Sequence, residues 1–323
     1  MNSIKFMDFC AGIGGGRLGL TNNGFECIGF SEIDSITEKT YRTFFGETEK
    51  NWGDLTQIDT SILPNFDVMI GGFPCQTFSV VGKRAGFEDN RGQIIYHLIK
   101  ILKDKQVPFF ILENVKGLVN HDKGNTLKQI VLKLDEAGYD VHYKVLNSLD
   151  YGVPQMRERI YFVGIKKGRS KRTFKWPENI KHNDIKNFIR DDNSVELNIN
   201  DSTFNKYLNN KYNKGKFKLE EILSKDYLVL DTRQSDLRLY ENKIPTLRTG
   251  RHGIVYVKNK KLYKLSGLDG LLFQGFPKEL VEKAKKNNIN NNKLLSQVGN
   301  AMTVTVIQAI CEELLNCIGG KYD

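Results

Sequence analysis

The N-terminal part of the chain carries the pattern that most constrains its fold. An apolar stretch, residues 4–9, precedes the glycine-rich residues 11–16, and a helical pattern then leads to a second apolar stretch, residues 26–31, which ends at Glu32. A strand, a glycine loop and a helix in this order are typical of the start of a doubly wound sheet. The glycines in such a loop let a ligand approach the backbone closely at the helix N-terminus. We therefore predict an α/β fold with a Rossmann-like sheet.

The glycine loop alone does not identify the ligand, because NAD, FAD and S-adenosylmethionine sites all use such a loop. The spacing is Gly-x-Gly-Gly, and Glu32 comes only sixteen residues after Gly16. Both features count against a dinucleotide, whose usual motif is Gly-x-Gly-x-x-Gly with a later acid. Glu32 is a candidate for binding ribose hydroxyls, and Asp54 is a candidate for binding an adenine amino group.

A second constraint is the sequence around Cys75. Residues 66–70 are predicted to form a buried strand, and a Gly-Gly-Phe-Pro sequence leads from it to the cysteine. Most free cysteines are small buried hydrophobes, but burial alone requires neither this approach nor the polar, glycine-containing residues 80–92 that follow. We predict that the strand delivers the Cys75 thiol to the rim of the sheet beneath a mobile lid.

Charged side chains also stand at the ends of later predicted strands. The apolar residues 108–112 lead directly to Glu113 and Asn114. A carboxylate at the end of a buried strand is costly unless it is paired or functional, so we expect Glu113 to face the same cleft as Cys75. Arg157 and Arg159 precede another predicted strand, and their i, i+2 spacing lets both point toward a phosphate or the Glu113 region.

The positive charge of the chain is concentrated in one segment. The net charge is +10, but residues 166–264 contain 24 Lys and Arg against 12 Asp and Glu. Apolar periodicity weakens over the same residues, which indicates a second domain with a polyanion-binding surface. Two polar clusters, residues 233–238 and 248–253, contain Arg and Gln side chains, which suit the base edges of a DNA major groove.

Other classes of protein are disfavoured by composition. We find no run of about 18 apolar residues, so we expect no membrane span, and the chain enters strand-like sequence without a predicted signal peptide. The five cysteines form no CxxC pair and no cluster with histidine. We therefore predict no metal site and no disulfides, as in a reduced cytoplasm.

Taken together and in this order, the motifs resemble those of DNA (cytosine-5)-methyltransferases, in particular the compact bacterial enzymes of restriction-modification systems. The matching pieces cover most of the chain outside residues 168–231, and they are residues 8–15, 72–76, 113–115, 155–159, 245–247 and 299–300. The resemblance implies an S-adenosylmethionine-dependent domain, residues 1–167, and a smaller, irregular DNA target-recognition domain, residues 168–264. Residues 265–323 would return to the first domain.

The resemblance also implies roles for individual residues. Cys75 would be the nucleophile that attacks C6 of a flipped cytosine, Glu113 its acid partner, and Arg157 and Arg159 supports for the base. The residues expected to bind S-adenosylmethionine are Phe9, Cys10, Ala11, Gly12, Gly14, Gly15, Glu32, Ile33, Asp54, Leu55, Pro74 and Asn300. The residues expected to bind DNA are Gln76, Ser79, Lys83, Arg84, Arg91, Gln234, Arg238, Arg248, Arg251 and His252.

Two positions depart from the family pattern. Cys10 stands where many members have an aromatic ring that stacks on the cofactor adenine, and Arg248 stands where a small polar residue is usual. Three alternatives are a tRNA cytosine-5 methyltransferase, a NAD-dependent oxidoreductase and an inactive DNA-binding module. The first lacks its Cys-Phe-Thr signature here, the second gives no role to Cys75, and the third does not explain why both Cys75 and Glu113 are present.

The expected partner is double-stranded DNA, bound by a monomer in the bacterial cytoplasm. A companion restriction endonuclease could act on the same DNA site without stable contact.

Overall fold

The computed structural model describes residues 3–73, 94–190, 195–199, 202–250 and 252–318. The described strands are β1 (Lys5–Phe9), β2 (Glu26–Ser31), β3 (Val68–Gly72), β4 (Phe109–Val115), β5 (Tyr139–Asn147), β6 (Gln155–Met156), β7 (Glu158–Lys166), β8 (Val195–Leu197), β9 (Val229–Asp231), β10 (Arg238–Tyr240), β11 (Ile244–Pro245), β12 (Ile254–Lys258) and β13 (Lys261–Lys264). The described α-helices are α1 (Gly15–Thr21), α2 (Ser35–Phe45), α3 (Ile94–Lys105), α4 (Asn125–Glu136), α5 (Ser202–Leu208), α6 (Leu219–Leu223), α7 (Gly267–Phe273), α8 (Lys278–Lys286), α9 (Asn291–Asn300) and α10 (Val304–Ile318). Short 3-10 helices span Leu55–Gln57, Thr60–Ile62, Lys116–Gly124, Ser148–Asp150 and Ile185–Phe188.

Internal contacts divide the chain into two compact units. The first unit comprises Met1–Asn147, Glu158–Asn179 and Met302–Asp323, and the second comprises Ser148–Arg157 and Ile180–Ala301. The division of function at residues 167/168 and 264/265 stays a prediction.

The described strands of the first unit form a sheet in the order β2-β1-β3-β4-β7-β5. β2, β1, β3 and β4 run parallel to their neighbours, whereas β7 runs antiparallel to both β4 and β5. The carboxyl ends of the four parallel strands therefore lie along one edge. This is the α/β, Rossmann-like architecture that the glycine loop predicted.

Helices cover both faces of this sheet, which explains why β3 and β4 are apolar almost throughout. Successive side chains of a strand point to opposite faces. Met69 of β3 belongs to a buried cluster with side chains of α3 and α4. Its neighbour Ile70 faces α1, where a Cβ added at Gly16 would come within 2.9 Å of Ile70 Cδ1. α1 in turn packs on α10.

The second unit contains an antiparallel sheet in the order β10-β9-β12-β13-β8. Leu230, Val255 and Val257 of this sheet form a buried cluster with Phe204 of α5 and Ile222 of α6. Sequence analysis predicted an irregular domain here and no strands. The strands are only three to five residues long, so their alternation is hard to recognise within Lys- and Asn-rich sequence.

Residues 291–318 are long and apolar enough, by composition, for a membrane-crossing helix. The stretch contains two helices, α9 and α10, because Ala301, Met302 and Thr303 are not helical. Its most apolar window is 67% buried, as is usual for core helices of a soluble protein.

Candidate active site

Glu113 lies at the carboxyl end of β4, beside the end of β3. Gly72 of β3 is its partner in the parallel ladder. Glu113 is 8% exposed, and its Oε2 atom lies 3.6 Å from the position that a Cβ would take at Gly72. The carboxylate therefore faces the end of the strand that leads to Cys75.

Phe73, the residue that follows β3, is bonded to β4 through both its N–H group and its carbonyl oxygen. The Phe73 N–H donates to the carbonyl oxygen of Glu113 (3.3 Å), and Asn114 Nδ2 donates to the carbonyl oxygen of Phe73 (2.9 Å). Both Phe73 and Asn114 are buried. Because Cys75 follows Phe73 by two residues, these bonds fix the origin of the predicted nucleophile loop next to Glu113.

Arg159 pairs with Glu113. It lies at the start of β7, where it is the ladder partner of Val115. Its Nε atom is 3.0 Å from Glu113 Oε1, and the exposed fractions of the two side chains are only 13% and 11%. A charge-assisted bond in so shielded a place orients the carboxylate strongly. The structure thus brings Arg159 to the Glu113 region, which is one of the two partners predicted for it.

Arg157 has different partners from Arg159. It is 2% exposed. Its Nη1 donates to the carbonyl oxygens of Leu247 and Gly299 (both 3.1 Å), and its Nη2 donates to those of Gly299 (3.2 Å) and Ala301 (2.9 Å). Because Gly299 and Ala301 flank Asn300, the guanidinium fixes the backbone that carries this predicted cofactor residue. A supporting role for Arg157 toward the base stays a prediction.

We expect Arg157→Met to destabilise the second unit. Methionine has a similar length but cannot donate. The Ala301 carbonyl oxygen would keep its bond from Gln274 Nε2 (3.2 Å), whereas the buried carbonyls of Leu247 and Gly299 would lose their bonds from Arg157. At roughly 1–3 kcal/mol for each of these acceptors, the free energy of unfolding should fall by about 2 kcal/mol or more. Urea denaturation would measure the change. Arg238→Met, on an exposed side chain of the same unit, should change it by about 0.5 kcal/mol at most, and equal stability of both variants would contradict this role.

The glycine loop after β1 has one position open to a ligand. Gly12 has φ +57°, and no atom described lies within 4 Å of a Cβ built there. Its N–H donates to Glu32 Oε2 (2.9 Å), while Glu32 Oε1 accepts from the Asp34 N–H (2.9 Å). Gly15 is different, because a Cβ there would meet the Met302 carbonyl oxygen at 2.3 Å. Gly12 therefore has room for a ligand, whereas Gly15 is required for packing inside the protein.

The other predicted cofactor residues divide into exposed and buried groups. Ile33 is 75% exposed, and Asp54 caps a 3-10 turn through bonds from the Thr56 N–H and hydroxyl (both 2.8 Å). Leu55 and Phe9 are buried, and the Phe9 ring lies 6.1 Å from that of Phe66. The Phe9 side chain is thus part of the core and does not replace the ring missing at position 10.

Cys10 adopts a left-handed conformation, with φ 52°. Burial raises the pKa of its thiol to about 12, with the nearby carboxylates of Glu32, Asp8 and Asp54 adding to the effect. The thiol is therefore neutral near pH 7, and Cys10 contributes bulk rather than a nucleophile to this part of the site.

Three of the residues predicted to bind DNA meet at one cavity of the second unit. Gln234, Arg238 and Arg248 line a space of about 150 Å³ with Met156 and Tyr240. His252 lines a different cavity, of about 590 Å³. The structure therefore groups the first three side chains and separates His252 from them.

A family model described as C-5 cytosine-specific DNA methylase matches residues 4–316 of this chain. The chain belongs to this family. The Type II methyltransferase M.HaeII of Haemophilus aegyptius is 36% identical over 324 residues, which cover 98% of this chain and 95% of that protein. M.HpaII of Haemophilus parainfluenzae is 35% identical and covers 99% and 91%. The solved structure of Entamoeba histolytica methyltransferase EhMeth, at 17% identity, has a TM-score of 0.73 over 98% of this chain and 99% of that chain, which shows a shared fold.

The family resemblance predicted from the motifs is thus confirmed, and the protein is a DNA methyltransferase that modifies C5 of cytosine. Several of its predicted site residues lie outside the described part of the chain. They are Pro74, Cys75, Gln76, Ser79, Lys83, Arg84, Arg91 and Arg251.

Sequence analysis gave no role to Asp8, a buried residue that lies near the carboxyl end of β1. Asp8 is 1% exposed, and its Oδ2 accepts from the Arg17 N–H (3.3 Å) in the first turn of α1. Burial raises the pKa of this carboxyl well above its ordinary value. The signal that identified Glu113, an acid at the end of a buried strand, is equally present at Asp8 and could have identified it.

Proposed function

We propose that the protein is a sequence-specific methyltransferase that flips a cytosine out of duplex DNA and transfers a methyl group to C5 from S-adenosylmethionine. One observation carries this proposal. The Glu113–Arg159 pair lies at the carboxyl edge of the sheet, beside Phe73, from which the chain leads to Cys75. A fixed carboxylate beside the strand end that leads, two residues later, to a cysteine supports nucleophilic activation of a cytosine ring.

The thiolate of Cys75 would begin the reaction by adding to C6 of the cytosine. An S–C6 bond forms, the C5–C6 double bond is lost, and the ring accepts a proton at N3. C5 then has the electron-rich character of an enamine carbon. This addition divides one difficult substitution into easier steps, which is the advantage of covalent catalysis. Duplex stacking hides C6, so the base must first leave the helix at a cost of a few kcal/mol.

Glu113 would serve N3 of the base. A carboxyl group that supplies the N3 proton during addition and recovers it during elimination stabilises the charge that develops on the ring. Arg159, 3.0 Å from Oε1, orients that carboxyl group and brings a positive charge to the same pocket. After methylation a base removes the C5 proton, and the released electron pair expels the Cys75 thiolate.

Three residues of the first unit support a binding site for S-adenosylmethionine. Gly12 is open at its Cβ position, Glu32 stands at the end of β2, and Ile33 is exposed beside it. The Glu32 carboxylate would accept bonds from ribose hydroxyls, and Ile33 would pack against the adenine. When bound, this cofactor supplies a methyl group carried on a sulfonium sulfur. Loss of the methyl group converts that sulfur to a neutral thioether, which is a good leaving group.

The biological setting is proposed from the relatives. The names of M.HaeII and M.HpaII describe Type II methyltransferases, and such an enzyme would act on a short DNA site in the bacterial cytoplasm. A companion endonuclease would share the site without stable contact. The methyltransferase would work as a monomer.

The proposal predicts cytosine-specific methylation of DNA at one short sequence. Purified protein would be incubated with labelled S-adenosylmethionine and a plasmid, and methylated positions would be mapped by bisulfite sequencing. An RNA transcript of the mapped site and bulk tRNA serve as matched substrates. We expect label in DNA alone, at C5 of one cytosine in each site. Label in tRNA and none in DNA would favour the tRNA enzyme, and no transfer to either would contradict the proposal.

A further inference from the structure

The loop between β9 and β10 is held rigid through its backbone. Asn210 Nδ2 and Asn213 Nδ2 both donate to the carbonyl oxygen of Ser235 (2.9 and 3.2 Å), and Asn213 Oδ1 accepts from the Leu237 N–H (2.8 Å). The Tyr207 hydroxyl donates to the carbonyl oxygen of Gln234 (2.9 Å). Asn213 is 1% exposed and Leu237 is 5% exposed. These contacts use backbone atoms, so they hold the loop without engaging the side chains that face the cavity.

A buried ion pair between Arg233 and Asp231 also lines the cavity. Arg233 Nε and Nη2 donate to the two carboxylate oxygens of Asp231 (2.7 and 2.8 Å), and Arg233 Nη1 donates to the Thr246 carbonyl oxygen (2.8 Å). The side chains of the pair are 6% and 5% exposed. Every nitrogen of this guanidinium is engaged, so Arg233 shapes the cavity and has no edge left for reading a base.

Arg238 is held differently. It is the ladder partner of Asp231, but its side chain turns to Asp236. Arg238 Nε lies 3.0 Å from Asp236 Oδ2, and Arg238 Nη2 lies 3.5 Å from Asp236 Oδ1. The two side chains are 53% and 50% exposed. Asp236 therefore engages the side of the guanidinium formed by Nε and Nη2. In a planar guanidinium the N–H bonds of the outer edge, one on Nη1 and the other on Nη2, point away from that side.

We propose that Asp236 is a specificity-determining positioning residue, which holds Arg238 so that its outer edge donates to O6 and N7 of a guanine in the recognised DNA site. This inference rests on the proposed function. Arg is the usual bidentate partner of guanine, and an Asp carboxylate accepts from the N4 amino group of cytosine. The Arg238–Asp236 pair thus contains a donor for the guanine and an acceptor for the cytosine of one G·C base pair.

Charge favours a base edge over a phosphate as the partner of Arg238. The Asp236 carboxylate cancels the positive charge of the guanidinium at short range, and its exposed oxygens would repel a phosphate. A base edge carries partial charges of both signs, so the Arg238–Asp236 pair meets no such repulsion there. Gln234 and Arg248, which line the same cavity, would contact the flanking base pair or the backbone.

The test compares base preference at every position of the recognised site. The rate constant kcat/KM would be measured on the mapped duplex and on duplexes with each base pair replaced in turn. We expect Asp236→Ala and Asp236→Asn to lower the preference for one G·C pair by about tenfold or more, the scale of a lost bidentate contact. Arg238→Gln should affect the same pair, and the double variant should lose no more than Arg238→Gln alone.

A matched control is Glu241→Gln. Glu241 forms an exposed ion pair with Lys225 in the same unit (2.8 Å), so its loss should leave base preference unchanged. Unchanged preference in Asp236→Ala would overturn the inference, as would an effect at a base pair different from that of Arg238→Gln. A uniform loss on all duplexes with a smaller salt dependence would instead identify a phosphate contact.

The two proposals fail in distinguishable ways. If the wild-type protein methylates no DNA, the proposed function is wrong. If it methylates one site and Asp236→Ala reads that site normally, only the role of Asp236 is wrong. Thermal melting of each variant shows whether folding is intact, and a change confined to one base pair is not what a loss of stability produces.

Discussion

Replacing Cys75 with serine is expected to abolish methyl transfer while DNA binding stays measurable. A serine hydroxyl is close in size to the thiol, but it is not ionised near neutral pH, whereas about a few per cent of an ordinary thiol is already thiolate. Only the ionised sulfur adds to C6. Transfer would be measured with labelled S-adenosylmethionine and the mapped duplex, and binding by fluorescence anisotropy with the same duplex.

Cys27→Ser is the matched control for this substitution. Cys27 Sγ lies 3.5 Å from the Gly29 carbonyl oxygen, a bond that a serine hydroxyl can also donate, and burial raises the pKa of the thiol to about 11. Burial likewise raises the pKa of Cys10, Cys311 and Cys317. None of these four is an activated thiol, so Cys27→Ser should keep the wild-type rate. Full activity in Cys75→Ser would show that Cys75 is not the nucleophile.

A duplex with 5-fluorocytosine at the target position tests the covalent step directly. The duplex is incubated with the protein and S-adenosylmethionine. Once C5 has accepted the methyl group it carries no proton to remove, and fluorine cannot leave C5 as a cation, so elimination is blocked and the enzyme should stay attached through the C6–S bond. We expect a complex that survives a denaturing gel and whose DNA is linked to the peptide that contains Cys75. Cys75→Ser should form none.

Glu113→Gln should lower kcat by about 10²–10⁴-fold, the usual contribution of a positioned acid-base group. Glutamine matches glutamate in shape but neither supplies nor recovers a proton at N3, and it weakens the bond to Arg159, now 3.0 Å long. Single-turnover measurements at saturating duplex would separate this loss from weaker binding. Trapping by the 5-fluorocytosine duplex should slow in parallel, because Glu113 assists the addition step itself.

Glu158→Gln provides a control on the neighbouring strand. Glu158 begins β7, its side chain is 46% exposed, and it pairs with Lys116 (2.8 Å). Removal of this exposed charge should leave kcat unchanged. A wild-type kcat in Glu113→Gln would contradict the role assigned to the carboxyl group, and an equal loss in both variants would indicate a general effect of charge on DNA binding.

Local signals made much of the first unit predictable. The helical patterns over residues 36–45 and 126–137 correspond to α2 and α4, and the apolar runs before Gly71 and Glu113 correspond to β3 and β4. These elements are long or fully buried, so their periodicity is clear. The short strands of the second unit leave little periodic signal, and none was predicted there.

The amino-acid sequence alone was sufficient for the family, the α/β fold and the position of Glu113 at the carboxyl edge of the sheet, because glycine loops and strand-terminal polar residues are local features. Only the tertiary structure separated Arg157 from Arg159. β6 pairs with β11, whereas β7 pairs with β4, so two arginines two residues apart bind different partners. Likewise, the loop that presents Asp236 and Arg238 is held by Asn213, a contact across more than twenty residues that no local pattern indicates.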